Sequence, residues 1–131
     1  MSGTGPNPSD PRARLGRMGE AAAAEELQRR GYLIRARNYR CRRGEADLVA
    51  DLGETLVFVE VKTRSTLSRG LLPRDAVGWS KQQRLGIAAL HYCARYRITD
   101  RPIRFDVVEV ITLGSDVAEV LVIEDAFSPD C

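Results

Sequence analysis

Glu60 and Lys62 stand two residues apart in the run LVFVEVK, residues 56–62, whose apolar and β-branched density marks a strand buried on both faces. Side chains two apart on a strand share a face, so a carboxylate and an ammonium project together from the centre of a sheet. Buried charges need partners or a metal. Asp47 offers the next acid. The run EADLVA (residues 45–50) precedes TLVFVEVKT (55–63) across the turn residues Asp51 to Glu54, the pattern of a β-hairpin. With Leu52 and Gly53 at the tip, Asp47 opposes Phe58 and becomes a diagonal neighbour of Glu60, roughly 7–8 Å away, close enough for both carboxylates to close on one hard cation. A slip of one residue would send Asp47 to the other face. Glu20 lies on a helical stripe with Gly16, Ala23, Ala24 and Leu27, small neighbours that let a helix pack closely and carry its carboxylate to the same cluster. Acids without histidine favour Mg²⁺ or Mn²⁺ over zinc. An ordinary Glu60–Lys62 ion pair on an exposed sheet face, with Glu20 on a charged helix rim, accounts for the same residue types.

The elements that must position these groups follow from periodicity and capping residues. Residues 1–13, with three Pro, two Gly and little to bury, predict a flexible tail, and residues 14–131 a single domain. Arg14 to Arg30 is a strong helix former that ends at Gly31. Tyr32 to Arg37 alternates as a strand and places Arg35, Arg37 and Tyr39 on one face. After Lys62 a loop with one short helical turn leads to a helix capped by Ser80 and running to about Tyr96, its apolar stripe being Leu85, Ala88, Ala89, Tyr92 and Tyr96. Strands Ile103–Ile111 and Ala118–Ile123 close the chain. The order of helix, three strands, helix and two strands predicts an α/β fold with a mixed β-sheet flanked by helices.

Charge separates along the chain. All 20 basic residues precede residue 105, where they face 11 acids; residues 105–131 hold seven acids and no base, so a net +2 divides into +9 and −7. Eighteen of the bases are Arg, whose planar fork suits phosphate. This asymmetry predicts a basic face for a polyanion. Arg35, Arg37, Arg40, Arg42 and Arg43 make a basic segment just before Asp47, suited to phosphate contacts and equally to keeping an edge strand from aggregating. Lys81 and Gln83 open the second helix, whose free N–H groups favour anions. Trp79 is expected to anchor core or loop rather than stack on a base, and the single histidine, His91, to be structural. Three widely spaced cysteines fit no disulfide framework and read as reduced thiols. Neither a secretory leader nor an apolar run of membrane-spanning length is evident, which predicts a cytoplasmic protein with no membrane partner.

Asp47, a short gap through a hairpin and then Glu60-Val61-Lys62 resembles the PD-(D/E)XK nuclease signature, with Ala46 where that motif often has Pro. The chain more closely resembles the uncharacterised bacterial YraN-like family, itself similar to archaeal Holliday-junction resolvases. The segments that carry the resemblance are Gly19-Glu20, Asn38-Tyr39-Arg40, Gly44 to Leu48, Val57 to Arg64, Lys81 to Leu85 and Arg104 to Val108, within residues 14 to 110. It implies a restriction-endonuclease-like core and a Mg²⁺- or Mn²⁺-dependent endonuclease that hydrolyses phosphodiester bonds of DNA, branched DNA included. In that reading Asp47, Glu60 and the Val61 carbonyl bind metal and Glu20 holds a second metal or a bound water. Lys62 orients or deprotonates the attacking water, and Arg64 joins the other bases on nucleic acid. A two-fold branched substrate would require a homodimer, for which the apolar strand Ala118–Ile123 is the expected interface. The alternatives are a nucleic-acid-binding module with this fold and no turnover, and a small subunit whose acidic C-terminal stretch docks a basic protein.

Overall fold

The first helix begins earlier than its propensity predicts, because Asp10 accepts the Arg12 N–H (2.9 Å) as N-cap and Pro11 fits the first helical position. Helix α1 therefore runs Pro11–Arg29, and residues 11–13 belong to it rather than to a tail. The computed structural model describes residues 10–66 and 78–129, so the rest of the expected tail, the expected helical turn in the loop and Cys131 lie outside the described residues. The chain continues through β1 (Leu33–Cys41), β2 (Gly44–Leu52), β3 (Thr55–Ser65), α2 (Trp79–Arg95), β4 (Ile103–Leu113) and β5 (Asp116–Ile123). Helix α2 starts at Trp79 with Gly78 as its N-cap, so Ser80 is inside the helix instead of capping it.

The strands form one sheet in chain order, antiparallel except for the parallel β3–β4 pair, which α2 connects. β3 is the central strand, as its continuous apolar run predicts. Helix α1 covers one face, where Ala23, Ala24 and Leu27 meet Leu48, Ala50, Val57, Val59, Val108 and Val110. Helix α2 covers the other, where Leu85, Ala88, Ala89 and Tyr92 meet Val49, Leu56 and Phe58. Tyr96, expected on the buried stripe, is exposed and lies against Tyr92 with ring centroids 4.6 Å apart and planes tilted by 47°. The sheet is thus sandwiched between helices, the mixed α/β arrangement the element order predicts.

Two glycines set how closely the helices approach. A Cβ on Gly19 would overlap the Thr63 hydroxyl, so α1 is pressed onto β3 one residue before Glu20. A Cβ on Gly44 would stand 2.7 Å from the Ala88 backbone nitrogen, which brings the start of β2 against α2.

The register differs from expectation in an instructive way. Leu52 pairs with Thr55 and Leu48 with Val59, so the hairpin tip is Gly53–Glu54 rather than Leu52–Gly53. Gly53 adopts φ +59 at the first loop position, a left-handed backbone natural to glycine, and that moves the turn by one residue. The pairing shifts by two positions, an even number, so every face assignment on β3 survives.

On β1 the expected alternation fails. Asn38 has φ +54 within the strand, and the register slips between Ile34 and Ala36. Ala36 and Tyr39, three residues apart, both pack on the α2 side. Arg35, Arg37 and Tyr39 therefore do not share a face, and Tyr39 is buried with its hydroxyl 2.6 Å from His91 Nδ1. Its partner strand mirrors the break, since Ala46 and Val49 both join the α2-side core while Leu48 joins the other. Asp47 sits at that irregularity.

Candidate active site

The ladder between β2 and β3 ends at Leu48↔Val59, although each strand keeps pairing on its outer side, β2 to Gly44 and β3 to Ser65. Asp47 occupies the fork. Its Oδ2 accepts the Val61 N–H at 2.7 Å, so a side-chain carboxylate takes a strand donor beyond the end of the ladder. On β3, Phe58 faces α2 and Val57, Val59 and Val61 face α1, which by alternation sends Glu60 and Lys62 to the α2 side. Glu20 approaches from α1 on the opposite side. It lines a cleft of about 320 Å³ with Arg12, Gly16, Val61 and Thr63, and another of about 460 Å³ with Arg17, Asn38 and Arg40. The expectation that all these acids share one face is corrected. Asp47, in the fork, lies between Glu20 and Glu60 and feels both charges.

Electrostatics at this point are unbalanced. Burial pushes the Asp47 carboxyl up to about 7, with the Glu60 charge and then Glu20 adding to the rise, against the opposing Val61 N–H and Lys81. Glu60 is 5% exposed and has a cation of its own, because Lys81 Nζ lies 3.0 Å from its Oε2. Lys81 is raised above the usual lysine range: burial opposes its charge, but the bond to Glu60 and the nearby acids prevail. Lys62 is lowered, by burial first and then by the neighbouring Lys81 ammonium. A lysine whose charged form is disfavoured in this way gives up its proton more readily than an exposed one.

The donor set consists of hard oxygens from Asp47, Glu60 and Glu20, together with the Val61 carbonyl, and it contains no imidazole or thiolate. Among the described residues no three acid, His or Cys side chains converge tightly enough to make a ready cage. Magnesium does not require one, since it commonly takes one or two carboxylates and completes its shell with water and substrate phosphate. The Asp47 and Glu60 carboxylates fit that habit, with the Glu20 charge felt by Asp47 from the α1 side.

The predicted phosphate contacts separate into two groups. Arg37, Arg40, Arg42 and Arg43 are exposed on β1 and its turn to β2. Arg35 and Arg64 are engaged by acids: Arg35, with Arg101, holds Asp51, and Arg64 Nε lies 2.8 Å from the buried Glu109 Oε2, off the N–H axis. Gln83 is half-buried near the start of α2. Trp79 is 73% exposed, which overturns the core half of its reading as a core or loop anchor; the loop before it lies outside the described residues. Sequence reasoning passed over Arg12 and Arg17, which line the clefts beside Glu20. Their placement ahead of Glu20 on one helix was the available signal. A further cleft, lined by Pro11, Arg14, Leu15, Met18, Gly114 and Ser115, contains none of the predicted site residues.

Fold and site together define a small mixed α/β protein with a helix on each face of a five-stranded sheet, and with acids and two lysines gathered where two strands part. The chain belongs to Uncharacterised protein family UPF0102, whose model matches residues 19–110. That span includes Glu20, Asp47, Glu60, Lys62 and Lys81. It is 46% identical over 97 residues to a UPF0102 protein of Alkaliphilus metalliredigens, covering 74% of this chain and 84% of the relative. Over 114 residues it is 45% identical to one of Syntrophus aciditrophicus, covering 87% and 88%. A relative from Moorella thermoacetica is 46% identical over 117 residues, covering 88% and 97%.

Proposed function

We propose that the chain is a Mg²⁺- or Mn²⁺-dependent phosphodiesterase acting on DNA, with a PD-(D/E)XK-type site at the β2–β3 fork. The observation that carries this reading is the Asp47–Glu60 pair: two carboxylates in a splayed sheet whose negative charge the surrounding chain leaves partly uncompensated. Asp47 and Glu60, with the Val61 carbonyl, would hold the metal, and Glu20 would hold a second ion or a water. A bound divalent cation supplies charge neutralisation at the phosphate and an acidified water. Asp47 is oriented for this by its bond to the Val61 N–H, which fixes one oxygen and leaves the other for a ligand. Lys62 holds or moves the proton of the attacking water. Arg12, Arg17 and Arg40 border the Glu20 clefts and would seat the phosphates on either side. No helix among the described residues is long and apolar enough to cross a membrane. The test is a panel of labelled branched, nicked and single-stranded DNAs with Mg²⁺ or Mn²⁺; intact substrates throughout would sink the reading.

The exposed Arg37, Arg40, Arg42 and Arg43 on β1 and its turn to β2 favour a second reading, a DNA-binding module without turnover. Binding that is salt-sensitive and survives loss of the acids would identify it. Cleavage of a two-fold junction would need a homodimer on the DNA. β5 is an exposed edge strand, but Asp116, Glu119, Glu124 and Asp125 are all exposed on or beside it, so a second copy would meet like charge there. Light scattering with and without DNA reads the oligomeric state.

A further inference from the structure

Lys81 is oddly placed for a helix. It lies in the first turn of α2, where Gly78 provides no side-chain cap, no acid is present, and the positive end of the macrodipole disfavours a cation. Within α2 nothing offsets that position. Its compensation lies across the gap, in the Glu60 carboxylate 3.0 Å away. The two partners differ in freedom: the Glu60 side chain is 7% exposed and packed into the sheet, whereas Lys81 is 42% exposed on a flexible four-carbon stem. The space among Glu45, Glu60, Lys81 and Arg84 is about 10 Å³, enough for about one water and too little for a cation with its own shell.

The geometry points to Lys81 as the resident counter-ion of Glu60, holding the place that a divalent cation must take, so that metal and lysine compete for one carboxylate and the displaced ammonium is delivered to the substrate phosphate. This rests on the metal-dependent reading above. Lys81 is thus a positioning residue before metal arrives and a phosphate contact afterwards. When Glu60 is taken, both the new cation and the end of α2 repel the ammonium, and its exposed stem can swing outward without unpacking the core.

Mn²⁺ titration of the full chain, followed by calorimetry or electron paramagnetic resonance without DNA, tests the competition. Lys81→Met removes the competitor and is expected to bind Mn²⁺ roughly five-fold more tightly, the factor matching a half-exposed ion pair. Lys81→Arg keeps the charge and should stay near wild type. Arg84→Gln, one turn along and paired with Glu45 at 3.5 Å, should change affinity less than about two-fold, separating contact from general charge. A measurement without substitution accompanies these. Amine acylation read by mass spectrometry should label Lys81 faster in wild-type protein at saturating Mn²⁺ than in its absence. If wild type binds Mn²⁺ but Lys81→Met binds no tighter, or Lys81 labelling does not rise, the competition is wrong and the metal reading stands. If wild type and Lys81→Met both fail to bind Mn²⁺, the metal reading falls and takes this inference with it.

Discussion

The sheet holds two aspartates in different ways, Asp106 buried and Asp47 partly exposed. Asp106 on β4 is fully buried and fully satisfied: Arg104 donates to both its oxygens at 2.9 Å, the Tyr32 hydroxyl donates at 2.8 Å, and the Asp125 N–H donates at 2.9 Å. Arg104 in turn donates to the Tyr32 hydroxyl, and its guanidinium is held firmly protonated, chiefly by the bonds to Asp106. Burial and the Asp106 bond push the Tyr32 phenol upward, so that the hydroxyl stays a donor. This cluster ties the end of α1, β4 and the C-terminal segment together, with nothing left over to bind a ligand. Asp47 on β2 has one backbone donor and two acidic neighbours. A carboxylate satisfied on every side acts as a clasp, whereas one with a single donor among like charges is the kind of group that the proposed function assigns to a cation.

That contrast makes the two aspartates respond oppositely to substitution. If the proposed function holds, Asp47→Ala and Glu60→Ala should each lower metal-dependent cleavage of labelled DNA by about 10²–10³-fold or more while the fold persists by circular dichroism, because they would remove ligands of the cation that acts on the phosphate. Residual cleavage near wild type in either would mean the fork is not the site. Asp106→Ala should cost about 3–5 kcal/mol in urea unfolding, since it takes from the half-buried Arg104 guanidinium, the buried Tyr32 phenol and the Asp125 N–H the acceptor they share. A loss below about 1 kcal/mol would erase the distinction between clasp and site.

Replacing Arg40, Arg42 and Arg43 together by Ala should reduce the slope of log binding constant against log salt by about 2–3, without changing oligomer size in light scattering. An unchanged slope would take phosphate contact away from the β1–β2 turn.

The smallest effect is on pH dependence. The fold raises the Asp47 pKa from 3.8 to about 7, so the folded state holds the proton more tightly than the unfolded chain. Stability of the metal-free protein should therefore fall as pH rises through the window from about 4 to 7, by about 1 kcal/mol after solvent relaxation. Asp47→Asn keeps an acceptor for the Val61 N–H and should flatten that decline, and Mg²⁺ should flatten it in wild type. Thermal melts at pH 5 and pH 8 compare the two, and a slope equal in both proteins would place the titration elsewhere.

Much of this architecture could be read from local chemistry. The 3.6-residue stripe of Ala23, Ala24 and Leu27, the alternation around the hairpin and the unbroken apolar run of β3 each encode an element and its buried side. Glu60 and Lys62 share a face for the same reason, and a register shift of two residues left that intact. Helix starts were less legible, because the Asp10 side-chain cap lies in a segment whose composition reads as a tail, while Gly78 caps α2 with no side chain at all.

The types and order of the candidate groups, Glu20, Asp47, Glu60 and Lys62, belong to the chain as a string, since periodicity of two or 3.6 residues assigns a side chain to a face wherever the strand or helix is regular. Their meeting depends on the places where regularity breaks. Asn38 in a left-handed backbone, the parting of β2 from β3, Gly19 pressed on Thr63, and Lys81 reaching Glu60 from a separate helix are long-range outcomes. No period in the sequence records them, because each arises from the packing of segments distant along the chain, and that packing alone determines that Lys81 bonds Glu60 directly while Asp47 feels it only at longer range.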